Sequence, residues 1–173
     1  SKTCPIKCDI IFNMKYMIMI LFLLGTSLMG VQKEKQLVAP NVTIELLETI
    51  KDNAIVLGSG KQEVHAFIDP LCFMSQLYLA LIYKHNQKIF AKYTIYLYLH
   101  EIESKKSKKS ILNIMSAESD EKMLRAIMLG KGDFDLKDIK DEESKRTFNK
   151  IADVARRIGV YKRPYIMING QVK

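Results

Sequence analysis

Polar and apolar positions divide this chain into an apolar leader and a series of shorter alternating blocks. Tyr16 to Val31 reads YMIMILFLLGTSLMGV, sixteen residues without a charge, preceded by Lys15 and followed by Lys33, Glu34 and Lys35. Residues 32–40 are a polar stretch ending at Pro40, the pattern of a linker, and Val42 to Ile55 begins with a short strand or helix. Gly58-Ser59-Gly60-Lys61 predicts a turn that launches Glu63–Ile68 as a buried strand, which arrives at Asp69-Pro70. From Cys72 to Lys84, Met74, Leu77, Tyr78, Leu81 and Ile82 recur at helical spacing. A second strand is predicted over Ala91 to His100, where Tyr93, Ile95, Leu97 and Leu99 alternate with Thr94, Tyr96 and Tyr98. Strand, helix and strand in this order imply a right-handed crossover between parallel strands.

The pattern then turns helical. Met115 to Glu121 supplies a cap and acidic residues at a helix start, where they suit the dipole, and Met123, Leu124, Ile127 and Met128 form the apolar side, with Gly130-Lys131-Gly132 as the stop. A further helix is predicted over Glu142 to Ile158, with Phe148, Ile151, Ala152, Ala155 and Ile158 on one side and Gly159 ending it. Pro164 to Ile168 predicts a strand, and Asn169-Gly170 is a hairpin signal leading into Gln171, Val172 and Lys173. The order predicts an α/β domain with a mixed central sheet and a helical region inserted between its two halves.

The leader admits three readings. It is short for a spanning helix and close to the apolar region of a secretory signal, with Met14-Lys15 as a start and Gly25, Ser27 and Gly30 as small residues near a cleavage point. An uncleaved anchor extended by Ile10, Ile11 and Phe12 is the second reading, and a buried helix the third. The expected division is a signal or anchor with an upstream extension over 1–31, a linker and short element over 32–56, and a folded domain over 57–173.

Length and composition suit one domain with a real core. A formal charge of +8 favours anionic partners. The dense cluster Lys105-Lys106-Ser107-Lys108-Lys109 reads as a loop without an aromatic platform, so nucleic acid is not the expected partner. Cys4, Cys8 and Cys72 do not combine with His65, His85 and His100 at the spacing of a structural zinc site, and neither metal nor cofactor is expected. A signal or an anchor would carry the rest of the chain out of the cytoplasm, in a bacterium to the oxidising periplasm, with Cys72 as the remaining thiol.

Chemistry concentrates in Phe67–Ser75, FIDPLCFMS. Asp69-Pro70 ends the strand, so Cys72 should lie near the exposed start of the next helix, where free backbone N–H groups and the positive helix end favour a thiolate. Ser75 occupies the position where a second cysteine would resolve a mixed disulfide; it can only donate a hydrogen bond to the Cys72 sulfur. A lone thiolate still opens a disulfide by exchange. The opposing reading makes Cys72 inert packing beside Phe73 and Met74.

FIDPLCFMS, followed about ninety residues later by IGVYKRPYIMING from Ile158 to Gly170, resembles the thioredoxin-like catalytic domain of bacterial Dsb thiol-disulfide proteins, nearest the disulfide-isomerase branch that includes DsbC and DsbG. The similarity runs from about Leu57 to the C-terminus and implies a thioredoxin-like α/β fold. On it Cys72 matches the attacking cysteine, Ser75 replaces the resolving cysteine to give a CxxS motif, and Pro164 matches the cis-proline facing the site. Arg163 departs from the familiar threonine or valine; it would stabilise the thiolate or engage an acidic substrate residue, or else point to solvent. Arg163, Phe73 and Met74 are the expected substrate contacts.

The resemblance implies a periplasmic or membrane-tethered protein that forms mixed disulfides with cysteine-containing substrate proteins, relying on an external reductant or redox partner. The roughly thirty residues after the apolar segment are too short for the full N-terminal dimerisation domain of the longest family members, so a monomer is favoured, or a dimer with a different interface. The alternative is a non-catalytic peptide-binding or chaperone-like module in which Cys72 is a relic.

Overall fold

The computed structural model describes residues 38–173. The apolar leader, Cys4 and Cys8, and with them the choice among signal, anchor and buried helix, lie outside the described residues. Among those described, no helix is long and apolar enough to cross a membrane.

Strand β2, Gln62–Ile68, is the middle of the sheet because every side chain from Val64 to Ile68 is buried, whichever face it points to. It pairs in parallel with β3, Tyr93–Leu99, over seven residues, from Gln62 opposite Tyr93 to Ile68 opposite Leu99. On its other side it meets β4, Tyr165–Ile168, in antiparallel register, and β4 continues into β5, Gln171–Val172. Strand β1, Ile55–Leu57, adds antiparallel to β3, giving the order β1-β3-β2-β4-β5. The expected mixed sheet, parallel crossover and terminal hairpin are all present.

Helix α1, Pro40–Glu48, precedes β1; α2, Phe73–Lys84, and α3, Asn86–Lys92, fill the crossover. Helices α4, Lys108–Met115, α5, Asp120–Leu129, and α6, Glu142–Ile158, lie between β3 and β4 as the inserted helical region. The period-two alternation of the strands sorts the core into two layers. Val64, Ala66 and Ile68 join Ile95, Leu97 and Leu99 against Leu79 and Ile82 of α2, Ile111 and Ile114 of α4, and Leu124 of α5. Phe67, Tyr98, Tyr165 and Met167 face the other way onto Leu46 and Leu47 of α1 and Ile151, Val154 and Ile158 of α6. The described part of 32–56, read as linker and short element, thus supplies a helix to this second layer and most of an edge strand to the sheet.

Three local readings change. Ala91 and Lys92 belong to α3, not to the strand; α3 runs directly into β3, with the extended backbone of Tyr93 as the hinge. Residues 105–109 are not one loop. Glu103–Lys105 is a 3₁₀ turn, Lys106 takes a left-handed φ of 51°, Ser107 is buried, and Lys108 begins α4. In α2, the stripe that announces the helix is only partly the face it buries: Ile82 and, partly, Tyr78 go inward with Ser75 and Leu79, while Met74, Leu77 and Leu81 remain exposed. A helix apolar on all sides gives a period but no direction.

Gly60 lets the turn before β2 pass against the α3–β3 junction. A Cβ there would lie 2.0 Å from the Lys92 carbonyl carbon and 2.2 Å from the Tyr93 nitrogen, both backbone atoms. Thr94 Oγ1 donates to the Gly60 carbonyl at 2.7 Å, holding the approach. Gly60→Ala should therefore cost about 2–3 kcal/mol in denaturant unfolding, as an overpacked core does; a loss below about 0.5 kcal/mol would show that the turn can retreat.

Candidate active site

Strand β2 ends at Ile68, and the next seven residues build the site. Asp69 is fully buried and its carboxylate gathers three segments. Oδ1 accepts the Leu71 N–H at 2.8 Å, fixing the turn into α2, and the Asp69 carbonyl accepts the Cys72 N–H at 3.1 Å. Oδ2 accepts the Ile102 N–H at 2.5 Å and the Ser107 hydroxyl at 2.6 Å, binding the segment after β3. A buried carboxylate is tolerable only with such donors, and charge-assisted bonds are the stronger class. Asp69 therefore caps the turn and also ties it to residues more than thirty positions away.

The bond from Ser107 has a consequence for α4. Ser107 is its N-cap, yet its hydroxyl is spent on Asp69 and makes no cap bond. Glu101 takes over, accepting the Lys108 N–H at 2.9 Å.

Cys72 is the N-cap of α2, but its sulfur does not cap the helix. The thiol donates toward the Arg163 carbonyl at 3.7 Å, across 91 positions of sequence. Its exposure is 9%, so the expected open position at the helix start becomes a recessed one beside the loop before β4. The Arg163–Pro164 bond in that loop is cis. Phe73 and Met74, next to the sulfur in sequence, point outward with exposures of 72% and 53%, and Leu71 and Tyr161 are also exposed. The recessed thiol thus has apolar neighbours open to solvent.

Ser75 is fully buried, and its hydroxyl oxygen accepts the Asp69 N–H at 3.2 Å. The expected hydrogen bond to the Cys72 sulfur is not formed; the Ser75 oxygen serves instead as an acceptor for the backbone at the strand end. Arg163 does not reach into solvent. Its guanidinium is half-buried and donates to three carbonyls, from Nε to His100 at 3.2 Å, from Nη1 to Lys162 at 3.2 Å and from Nη2 to Glu101 at 2.8 Å. Burial lowers the Arg163 pKa, while the nearby charges of Asp69 and then Cys72 push it back up. Its positive charge therefore stands within electrostatic reach of the sulfur, without a hydrogen-bonded carboxylate partner.

The Arg163 anchors on His100 and Glu101, and the Ser107 bond to Asp69, were missed in sequence. His100 adjoins both charged groups. Its Nδ1 is buried without a hydrogen-bond partner, and burial and then Arg163 lower its pKa to about 4, opposed by Asp69. His65 lies on the face of the second core layer, with Nδ1 3.0 Å from the Tyr98 hydroxyl and its ring stacked on Tyr96, and burial likewise lowers its pKa. His85 ends α2. None of the three histidines is hydrogen-bonded to Cys72. Among the described residues, no group of three or more His, Cys, Asp or Glu is placed to hold a metal.

A thiol at the start of a helix, facing a cis-proline loop at the end of a central parallel strand, defines a thioredoxin-like α/β fold. The chain shares this fold with the catalytic domain of Proteus mirabilis ScsC, at 15% identity and a TM-score of 0.62, over 76% of this chain and 88% of that one. It is also similar to the thiol-disulfide exchange protein α-DsbA2 of Wolbachia pipientis, at 16% identity and a TM-score of 0.55, over 77% and 88% of the two chains. A third similar structure is a periplasmic thioredoxin-like protein of Salmonella enterica serovar Typhimurium, at 17% identity and a TM-score of 0.52, over 80% and 88%. No family model matches the chain, and no curated protein matches it in sequence.

Two outcomes follow from the site's polar groups. Asp69→Ala leaves three donors without their acceptor and should cost at least about 3 kcal/mol in denaturant unfolding, with Asp69→Asn costing less because one oxygen survives. Stability should also decline as pH falls from about 6.5 toward 4. The unfolded histidines bind protons near 6.5, whereas folded His100 stays neutral until about 4, so the unfolded state gains protons first and is favoured by acid. His100→Gln should flatten the pH dependence of unfolding across that window; an unchanged slope would remove His100 as its source.

Proposed function

We propose that this protein is a Dsb-like monothiol that forms mixed disulfides with substrate proteins through Cys72. The observation that carries the reading is the placement of the Cys72 sulfur, recessed at a helix start, 3.7 Å from the Arg163 carbonyl beside a cis-proline, with its sequence neighbours Leu71, Phe73 and Met74 exposed. The thioredoxin-like fold of the neighbours supports it. The resemblance of FIDPLC and of the Gly159–Gly170 segment to the disulfide-isomerase branch supports isomerase or reductase chemistry over net oxidation.

The Cys72 thiol first loses its proton to solvent. The thiolate attacks one sulfur of a substrate disulfide, forming a Cys72–substrate bond and expelling the other substrate sulfur as a thiolate. Arg163 brings positive charge near the reacting sulfur, and the outward Phe73 and Met74 present apolar surface to an unfolded segment. Ser75 contributes no thiol to reverse the adduct; its hydroxyl is committed to the Asp69 N–H and holds the helix start in place. Release requires a second thiol, from another cysteine of the same client, which gives isomerisation, or from an external thiol reductant, which gives net reduction. The periplasm is the compartment that suits this chemistry, with the leader at 16–31 as its signal or tether, and a monomer is the favoured state.

The test uses a full-length Cys4→Ser/Cys8→Ser background and a client carrying scrambled disulfides. This protein should yield a covalent complex on a non-reducing gel that dithiothreitol dissolves. Cys72→Ser should abolish the complex, and Ser75→Cys should deplete it by supplying a resolving thiol. Absence of an adduct, with client binding unchanged in Cys72→Ser, would instead support a non-catalytic peptide-binding module.

A further inference from the structure

A cleft of about 420 Å³ opens between the start of α4 and the approach to α6, away from the thiol itself. Lys108, Lys109, Lys140 and Lys145 line it, with Leu112 and Ile139 beneath and Asp138 as its one carboxylate. Among the described residues Lys108, Lys109 and Lys140 enter no ion pair, while Lys145 meets Glu142 in an exposed one at 2.8 Å. Lys108 Nζ stands 5.2 Å from the Phe148 ring centroid, above a largely buried ring. Two of these lysines occupy the first turn of α4, which has no acidic residue, so they oppose the helix dipole. Local helix stability does not account for cations in that turn.

We infer that this cleft docks an acidic segment of the protein whose disulfide Cys72 attacks; the inference rests on the reading of Cys72 as a nucleophile and adds a substrate class to it. The connection to the thiol is physical. Ser107, immediately before Lys108, donates to Asp69 at 2.6 Å, and Asp69 accepts the Leu71 N–H in the turn that carries Cys72. One wall of the cleft is therefore fastened to the thiol's own loop, so a client chain held in the cleft is tethered through Ser107 and Asp69 to the turn that carries the sulfur.

The lining selects among anions. A single small anion would need converging backbone donors, but the first N–H of α4 is already taken by Glu101 at 2.9 Å. Nucleic acid would need exposed rings for stacking, and no aromatic residue lines the cleft. A lipid surface would need apolar side chains to insert, whereas Leu112 is buried and Ile139 partly so. Separated lysine charges above a narrow apolar floor suit spaced carboxylates on an extended chain.

The experiment compares three labelled peptides that differ only in an acidic, neutral or basic stretch beside one cysteine. Binding is read by anisotropy on the full chain carrying Cys72→Ser, and exchange on the Cys4→Ser/Cys8→Ser protein with each peptide as a mixed disulfide. The acidic peptide should bind and exchange about tenfold better than the neutral one, with the advantage shrinking in high salt. K108E/K109E should erase that advantage while exchange with uncharged hydroxyethyl disulfide stays unchanged; glutamates in the first turn suit the helix dipole, and circular dichroism checks the fold. Equal binding of all three peptides, or tighter binding of a single-stranded oligonucleotide or of phosphatidylglycerol vesicles than of the acidic peptide, would overturn the assignment. Loss of hydroxyethyl disulfide exchange in the parent protein would defeat the thiol reading, and the link to Cys72 with it, even if the acidic peptide still bound.

Discussion

The Asp69 carboxylate is the constraint on which the arrangement at the thiol depends. It is buried at the end of the central strand and cannot remain charged there without donors, so the chain must bring them. They come from Leu71 in the turn, Ile102 after β3 and Ser107 before α4. Satisfying one carboxylate thus fixes the start of α2 against the start of α4. The cap of α4 then passes from Ser107 to Glu101, whose backbone carbonyl also receives a donor from Arg163. Arg163 closes the circuit, since its own carbonyl faces the Cys72 sulfur. Turn, helix cap and cis-proline loop form one hydrogen-bonded assembly around a thiol that itself makes a single weak contact.

Much of the fold could be read in the sequence because its signals are local. The Val64–Ile68 run, the one-sided apolar period and glycine stop of α6, and Asn169-Gly170 each announce their element without outside help. Where signals conflicted, tertiary contact decided. Ala91 and Lys92 preserve the look of a strand but lie in a helix that feeds it. The apolar positions of α2 carry no direction, and only packing of Leu79 and Ile82 onto the sheet turns Met74, Leu77 and Leu81 outward. The lysine cluster hides a buried serine, since charge density argued for solvent on both sides of it.

The site was legible in part for the same reason. Cys72, Ser75 and Pro164 stand in motifs, and the structure brings Cys72 against the backbone that precedes Pro164. The behaviour of Ser75 and Arg163 could not be deduced from spacing, because each is set by backbone groups distant in sequence: Asp69 N–H for the first, the His100 and Glu101 carbonyls for the second. A hydroxyl expected at the sulfur supports the strand end instead, and a guanidinium expected at the thiolate, at an acidic substrate residue or in solvent is anchored on loop carbonyls within electrostatic reach of the sulfur. On the proposed reading the function divides between parts: Cys72 would supply the bond, the exposed residues beside it an apolar contact, and the lysine-lined cleft a cationic contact for an acidic client.

On the proposed reading, a thiol that attacks without a resolving partner leaves a kinetic signature, and the most direct measurement is the stoichiometry of substrate opening in the first seconds after mixing with an excess of a substrate that carries one disulfide and no further cysteine. The account predicts a burst of one substrate opened per protein molecule, followed by arrest until an external thiol is added. Steady turnover without added thiol, or no burst at all, would contradict it.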